Sequence, residues 1–198
     1  MRPLYLEFCG INSFSEPARI DFAKLLEYGI FGIFGDTGSG KSTILDCIGF
    51  ALYGSISRSR TGTISDVINF SLDKAYVHFE FEVTFEGERR IFRVERELKR
   101  KGGAQSVKVY EKKGEAFVVV TDGVRESKDF LESVIGLEQR DFEKCIALPQ
   151  GEFAQFVHST RADRLKLVSR LFDLEEYGDK LVKRANARSS CLLYTSPS

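Results

Sequence analysis

The sequence predicts an α/β fold in which one strand–loop–helix unit is followed by an antiparallel β-meander and a helical exit. Three observations predict it. The apolar run "GIFGIF" (29–34) passes through the glycine-rich "GDTGSGKST" (35–43) into "ILDCIGFALYG". Apolar residues then alternate without a break at Val77, Phe79, Phe81, Val83 and Phe85, the period of a strand with one buried face. Finally, "TRAD" (160–163) is a capping-box start, and Leu165, Val168, Leu171 and Phe172 follow it at helical spacing.

The elements follow in order. "PLYLEFCGI" alternates like a half-buried strand, with Leu4, Leu6 and Phe8 on one face, and "PARIDF" is a second short strand. "GIFGIF" reads as a buried strand. The helix after Lys41 carries Ile44, Leu45, Ile48 and Leu52, so it packs on a sheet, and it stops at Gly54. "YVHFEFEVTF", "RRIFRVEREL", "SVKVYEK" and "AFVVVTD" form the meander, with Glu-Gly-Glu and "KRKGGAQ" as turns. Ser127 to Ile135 is a short amphipathic helix ended by Gly136. Cys145 to Leu148 reads as a buried strand running into Pro149, Gln150 and Gly151. A last helix from Glu175 places Tyr177, Leu181 and Ala185 at near-heptad spacing, the start of a coiled coil. The expected division is 1–172 as one lobe, 173–188 as the first coiled-coil turns, and 189–198 as a non-native or disordered tail. "SSCLLYTSPS" loses all charge and resembles translated adapter read-through more than a native tail, so the native chain is expected to continue past Arg188.

Composition narrows the class. The 198 residues are 42% hydrophobic and 29% charged, enough for a packed core. Lys+Arg and Asp+Glu both number 29, so net charge does not draw the chain to a polyanion. The four cysteines form no C-x-x-C, which argues against a zinc site and for a reducing compartment. No secretory h-region and no membrane-length apolar run is present, so the expected location is the cytoplasm.

Residues 35–43 match G-x-x-x-x-G-K-[ST] between a predicted strand and a predicted helix. Gly35, Gly38 and Gly40 let the backbone curl, so that the N–H groups of Asp36, Thr37 and Ser39 join theirs in an anion nest. The helix start adds its partial positive charge. Lys41 reaches the β- and γ-phosphates of a nucleotide, the Ser42 hydroxyl coordinates Mg²⁺, and Thr43 bonds the α-phosphate. The bland alternative is a glycine-rich turn with an incidental lysine. Hydrolysis also needs an acid at a strand end. Asp122 is the candidate, but Asp-Gly is ordinary turn chemistry. No N-K-x-D motif or nucleophile triad is visible, and His78 and His158 read as packed or solvated.

"INSF", "IDF", residues 29–54 and "LPQGEFAQFVHSTRADRLKLVSRLFDLEEYGDKL" together resemble the SbcC subunits of bacterial SbcCD nucleases, within the SMC-like ABC ATPases of DNA repair. The resemblance implies a P-loop NTPase of ABC type, here an incomplete N-terminal lobe leading into a coiled coil. It makes Gln150 the residue that touches Mg²⁺ beside the γ-phosphate, and gives Asn12 and Ser13 a part in nucleotide binding. An amide suits that place because it accepts and donates without adding negative charge. The family's signature motif, Walker B acids and switch histidine belong to a C-terminal lobe and are not found in these residues. No catalytic residue is therefore assigned in this chain. The resemblance further implies four partners: the chain's own C-terminal lobe, a second copy head to head, an SbcD-like nuclease and double-stranded DNA. A nuclease-free ATP-dependent DNA clamp is the alternative, and a stand-alone P-loop kinase ranks below both. Lys99, Arg100 and Lys101 at a hairpin tip, with Arg58 and Arg60 on a loop, are either solvated charges or phosphate-backbone contacts.

Overall fold

The computed structural model describes residues 1–56 and 64–146, with Thr160, Leu165, Asn186 and Arg188 as single positions. The chain divides into two units, Met1–Ile135 and Gly136–Ser198. The first holds β1 (Arg2–Cys9), β2 (Ala18–Asp21), α1 (Phe22–Leu25), α2 (Lys41–Tyr53), β3 (Lys74–Phe85), β4 (Glu88–Lys99), β5 (Gln105–Lys113), β6 (Ala116–Asp122) and α3 (Val124–Ile135). Its sheet runs β2-β1-β3-β4-β5-β6, and every neighbouring pair is antiparallel. The β3–β4 connection is a two-residue turn. Glu86 and Gly87 both take positive φ, 52° and 81°, which matches the twist of the flanking strands.

Alternation decides the two faces. Leu6, Phe8, Val77, Phe79, Phe81, Phe92, Val94, Leu98, Val107 and Val109 are buried on the inner face. Helix α2 covers this face with Cys47, Phe50 and Ala51, and α3 adds Leu131 and Val134. Phe130 of α3 meets the rings of Phe85 and Phe92 edge-on at 6.4 and 5.7 Å. Leu4 is only half-buried, beside the irregularity between Pro3 and Tyr5. The outer face is polar and paired across strands. Arg93 bonds Glu80 at 2.6 Å, and the Tyr110 hydroxyl donates to Glu95 at 3.0 Å. His78 lies on this face with its ring 4.9 Å from that of Tyr76, a packed histidine as expected.

One inward position breaks the apolar pattern. Arg96 is 1% exposed. It donates from Nε to Ala51 O at 3.1 Å and from Nη1 to Gln105 Oε1 at 3.3 Å, and Gln105 Nε2 donates to Gly54 O at 3.0 Å. These two side chains satisfy carbonyls at the end of α2, where a cation also complements the helix dipole. Gly54, at φ 75°, donates its N–H to Phe50 O and closes the helix where the sequence predicts.

Two expected strands differ. Residues 30–34 form no strand. Gly29, at φ 75°, ends a 3₁₀ turn over Leu26–Tyr28, and Ile30 and Phe34 are 85% and 93% exposed. A buried strand ahead of a phosphate loop needs parallel neighbours, and all described pairs are antiparallel. In the second unit Cys145 ends helix α4 (Gln139–Cys145), and Ile146 caps it at φ −114°, ψ −56°. The start of the predicted 145–148 strand is thus helical, because Phe142 and the pair Gln139–Glu143 continue an i,i+4 pattern that fixes these residues as a helix. Leu165 is helical; Val168, Leu171, Phe172 and the tail lie outside the described residues.

Glu7 on the outer face gives a pH test. The Tyr5 hydroxyl first, then Arg19 and Tyr76, hold its carboxyl at about 2 instead of 4.5. The folded form therefore binds this proton less readily than the unfolded chain. The stabilisation is complete above pH 4.5 and is lost as pH falls toward 2. Urea midpoints of Glu7→Gln should fall below those of the parent at neutral pH and converge with them across that window. A pH-independent gap would refute this account.

Candidate functional site

The glycine-rich loop is exposed over residues 35–39, half-buried at Gly40, and opens directly into α2. Ser39 N donates to Asp36 O at 3.2 Å, and Gly38 and Gly40 both take φ 88°. Gly40 is the N-cap of α2 and offers no side chain to the first turn, so an outside anion can take that acceptor role. Lys41 folds back over the loop. Its Nζ donates to Gly35 O at 2.7 Å, Asp36 O at 2.6 Å and, at a longer 3.4 Å, Ser39 Oγ. The weakest of these three bonds is the one an anion displaces at least cost. Thr37 lies on the exposed turn, and Ser42 is exposed on the first turn of the helix.

The turn after β1 meets this helix start. Asn12 Nδ2 donates to Thr43 Oγ1 at 3.2 Å, and a Cβ at Gly40 would overlap the ring of Phe14. Ser13 is exposed on the same turn. Asn12 has φ 51°, a left-handed conformation that asparagine tolerates better than most residues. Thr43 is buried, and its N–H donates to Gly40 O at 2.9 Å. The structure thus brings Asn12, Gly35, Asp36, Ser39, Gly40, Lys41 and Thr43 into one bonded cluster, with Ser13, Thr37, Gly38 and Ser42 on the same surface.

These residues fit a polyphosphate. The loop presents an ammonium and a positive helix end, and the missing Cβ of Gly38 has open space around it. They also fit a hard cation held jointly with phosphate. Ser42 supplies one hydroxyl oxygen, and no group of three His, Cys, Asp or Glu suited to a metal occurs among the described residues. Magnesium commonly takes its remaining ligands from phosphate and water.

Other expected site residues lie elsewhere. Gln150, Arg58, Arg60 and His158 are outside the described residues. Asp122 ends β6 opposite Lys108 and precedes Gly123 at φ 88°, which is the turn reading. Three strands separate β6 from β1, placing Asp122 ~19 Å across the sheet from the strand that leads into the Asn12 turn. Arg100 is no free basic tip. Its Nη2 donates to Ile68 O, Asn69 O and Leu72 O at 3.1, 2.7 and 3.0 Å. Lys99 and Lys101 beside it remain exposed. Sequence reasoning passed over Asn69 and Arg96. Arg96 carried a readable signal, an arginine in the inward register of Phe92, Val94 and Leu98. An open depression of about 710 Å³ on the outer sheet face, bordered by Tyr76, His78, Glu95 and Lys108, is separate from the phosphate loop.

A family model described as an AAA domain matches residues 5–190. The SbcC subunit of the SbcCD nuclease of Clostridium acetobutylicum is 38% identical over 186 residues, which is 91% of this chain and 16% of that protein. Its counterpart from Bacillus subtilis, also the SbcC subunit of an SbcCD nuclease, is 38% identical over 206 residues, 98% of this chain and 18% of the relative. The probable DNA double-strand break repair Rad50 ATPase of Aquifex aeolicus is 34% identical over 176 residues, 89% of this chain and 17% of the relative. The chain spans less than a fifth of the length of these curated relatives.

Gly40→Ala should destabilise the protein by at least about 2 kcal/mol. The left-handed conformation alone costs about 1–2 kcal/mol, and the new methyl also meets Phe14. Adding Phe14→Ala should relieve the overlap at Gly40 but not the backbone strain. Urea denaturation checks the pair, and a Gly40→Ala loss below about 0.5 kcal/mol would contradict the geometry.

Proposed function

The chain belongs to the AAA domain family, and on that premise we propose that it is the ATP-binding N-terminal lobe of an SbcC-like ATPase that serves DNA-end processing. One observation carries the reading. Lys41 is held across the loop at the start of α2 while Asn12 engages Thr43, in a chain 38% identical to the SbcC subunits of two SbcCD nucleases.

In this proposal the nest from Gly35 to Gly40 and the start of α2 bind the phosphates. Lys41 compensates the β- and γ-phosphate charge, and Thr43 bonds the α-phosphate. Ser42, with Gln150, is assigned to Mg²⁺, which when bound neutralises phosphate charge and orients the terminal phosphate. Asn12 and Ser13 border the same site.

Binding and turnover are separable here. The acids that activate water are assigned to the C-terminal lobe, and two heads close over two ATP molecules. Engagement then regulates an SbcD-like nuclease on double-stranded DNA. Similarity to subunits of SbcCD nucleases supports a nuclease-linked role over a nuclease-free clamp. The reading puts the assembly in the cytoplasm at the nucleoid. It agrees with the unpaired thiols of Cys9 and Cys47, and no described helix is long and apolar enough to cross a membrane.

The test uses the full-length protein carrying this segment. Lys41→Ala should weaken Mg-ATP binding roughly ten- to hundred-fold, the scale of a lost charge-assisted bond. Gln150→Ala should keep ATP affinity within about two-fold yet lose ATP-driven dimerisation, which light scattering reads directly. Unchanged binding in the lysine variant would overturn the assignment. Normal dimerisation of the glutamine variant would remove Gln150 from the sensing role.

A further inference from the structure

Asn69 is 5% exposed and lies in a connection with no periodic pattern, yet all of its polar atoms are engaged. Its N–H donates to Gly10 O at 2.8 Å, and its Oδ1 accepts from Ser71 N at 3.1 Å and Ser71 Oγ at 2.7 Å. Its carbonyl accepts from Arg100 Nη2 at 2.7 Å. The one remaining donor, Nδ2, reaches Asn12 O at 2.7 Å. Asn12 is held from the other side as well, because its N–H donates to Val67 O at 2.7 Å. A continuous chain of hydrogen bonds therefore runs from Arg100 on the β4–β5 turn, through Asn69 and Asn12, to Thr43 on α2.

We infer that Asn69, locked in place by Arg100, is a positioning residue for the phosphate site and acts through Asn12 on the Thr43 hydroxyl. The inference rests on the ATP-binding reading above. Its chemistry lies in the two-sided character of a hydroxyl. Thr43 Oγ1 accepts from Asn12, so its hydrogen is left to donate, and a donor is what an anionic ligand requires. Without that bond, a threonine in a helix turns its hydroxyl to a backbone carbonyl of the preceding turn and offers the ligand lone pairs. Asn12 keeps its amide on Thr43 only while its left-handed backbone is fixed, and Asn69 and Val67 fix it.

Asn69→Asp retains the acceptor for Ser71, turns the donor to Asn12 into an acceptor and adds a charge; a loss caused by that charge alone would persist on top of Asn12→Gly in the double variant. Asn12→Gly retains the left-handed backbone and removes only the amide. Both are made in the full-length protein, with Mg-ATP affinity measured at a temperature where circular dichroism shows every variant folded. Each single change should weaken binding by about ten-fold, the scale of one buried hydrogen bond. The double variant should bind no more weakly than Asn12→Gly alone, because Asn69 acts through Asn12. A purely structural Asn69 would lower the melting temperature and leave affinity unmoved. Affinity of Asn69→Asp within two-fold of the parent, or multiplicative losses in the double variant, would overturn the proposal.

If Asn69→Asp does not fold, Arg100→Lys loosens the same connection from its more exposed side and is read by the same criteria. If the parent protein itself binds no Mg-ATP, the ATP reading fails, and the coupling is read by hydrogen exchange without nucleotide. Faster exchange at residues 41–44 in Asn69→Asp then supports the coupling, and unchanged exchange refutes it.

Discussion

The phosphate loop depends on one contact, the turn after β1 pressed against the start of α2. Phe14 occupies the space where any residue larger than glycine would put its Cβ at position 40, and Asn12 reaches Thr43 one turn into the helix. A loop of exposed residues has no core of its own to hold its shape. Its backbone is defined because the first strand, buried through Leu6 and Phe8, delivers a rigid turn against it. The site is thus built from two segments some thirty residues apart, and neither alone fixes the donors.

The other end of the same helix is held by a charge. Burying a guanidinium is costly, and burial lowers the affinity of Arg96 for its proton, to about 10. Its Nη2 has no hydrogen-bond partner, so the arrangement is not the most stable solution available to a core. What the arginine supplies is direction. A leucine at position 96 could pack on Phe50, but it could not bond both Ala51 O and Gln105 and so fix where α2 ends. With Gly54 closing the helix beside this pair, α2 is anchored at both ends. An anion bound at Gly40 then meets a helix that has little freedom to recoil.

Much of this was legible in the sequence, for identifiable reasons. The meander could be read because Val77 to Phe85 alternate with period two, and a one-residue slip would expose every phenylalanine. The loop could be read because each fixed position of its motif, Gly35, Gly40, Lys41 and Ser42, has a chemical requirement. Apolar runs without a period were the failures. "GIFGIF" states only that its residues prefer to leave water; it does not say what covers them. Ile30 and Phe34 stand exposed because a strand exists only with a hydrogen-bonded neighbour. "CIAL" differs likewise at its start, since nothing in an apolar run alone separates a strand from the end of a helix; Ala147 and Leu148 lie outside the described residues. Asn69 was invisible because its value comes from partners at positions 10, 12, 71 and 100. Arg100 misled in the opposite way. Beside Lys99 and Lys101 it looks like surface charge, whereas its guanidinium collects backbone carbonyls.

Charge accounting explains why such a site binds before it reacts. The described side chains bonded around the loop offer donors, namely the Lys41 ammonium, hydroxyls and the Asn12 amide, beside the start of a helix, and Asp36 is the loop's one carboxylate. Donors lower the energy of bound phosphate, but a water molecule must also lose a proton, and that needs a base. Asp122 ends a strand on the far edge of the sheet, and its neighbour Gly123 commits it to a turn. A catalytic carboxylate beside the γ-phosphate would also cost affinity, because it repels that phosphate until a metal ion screens it. Separating the donors from the acid avoids that conflict. On the proposed reading, nucleotide binding belongs to this lobe and the acid enters only when the site closes against a partner surface.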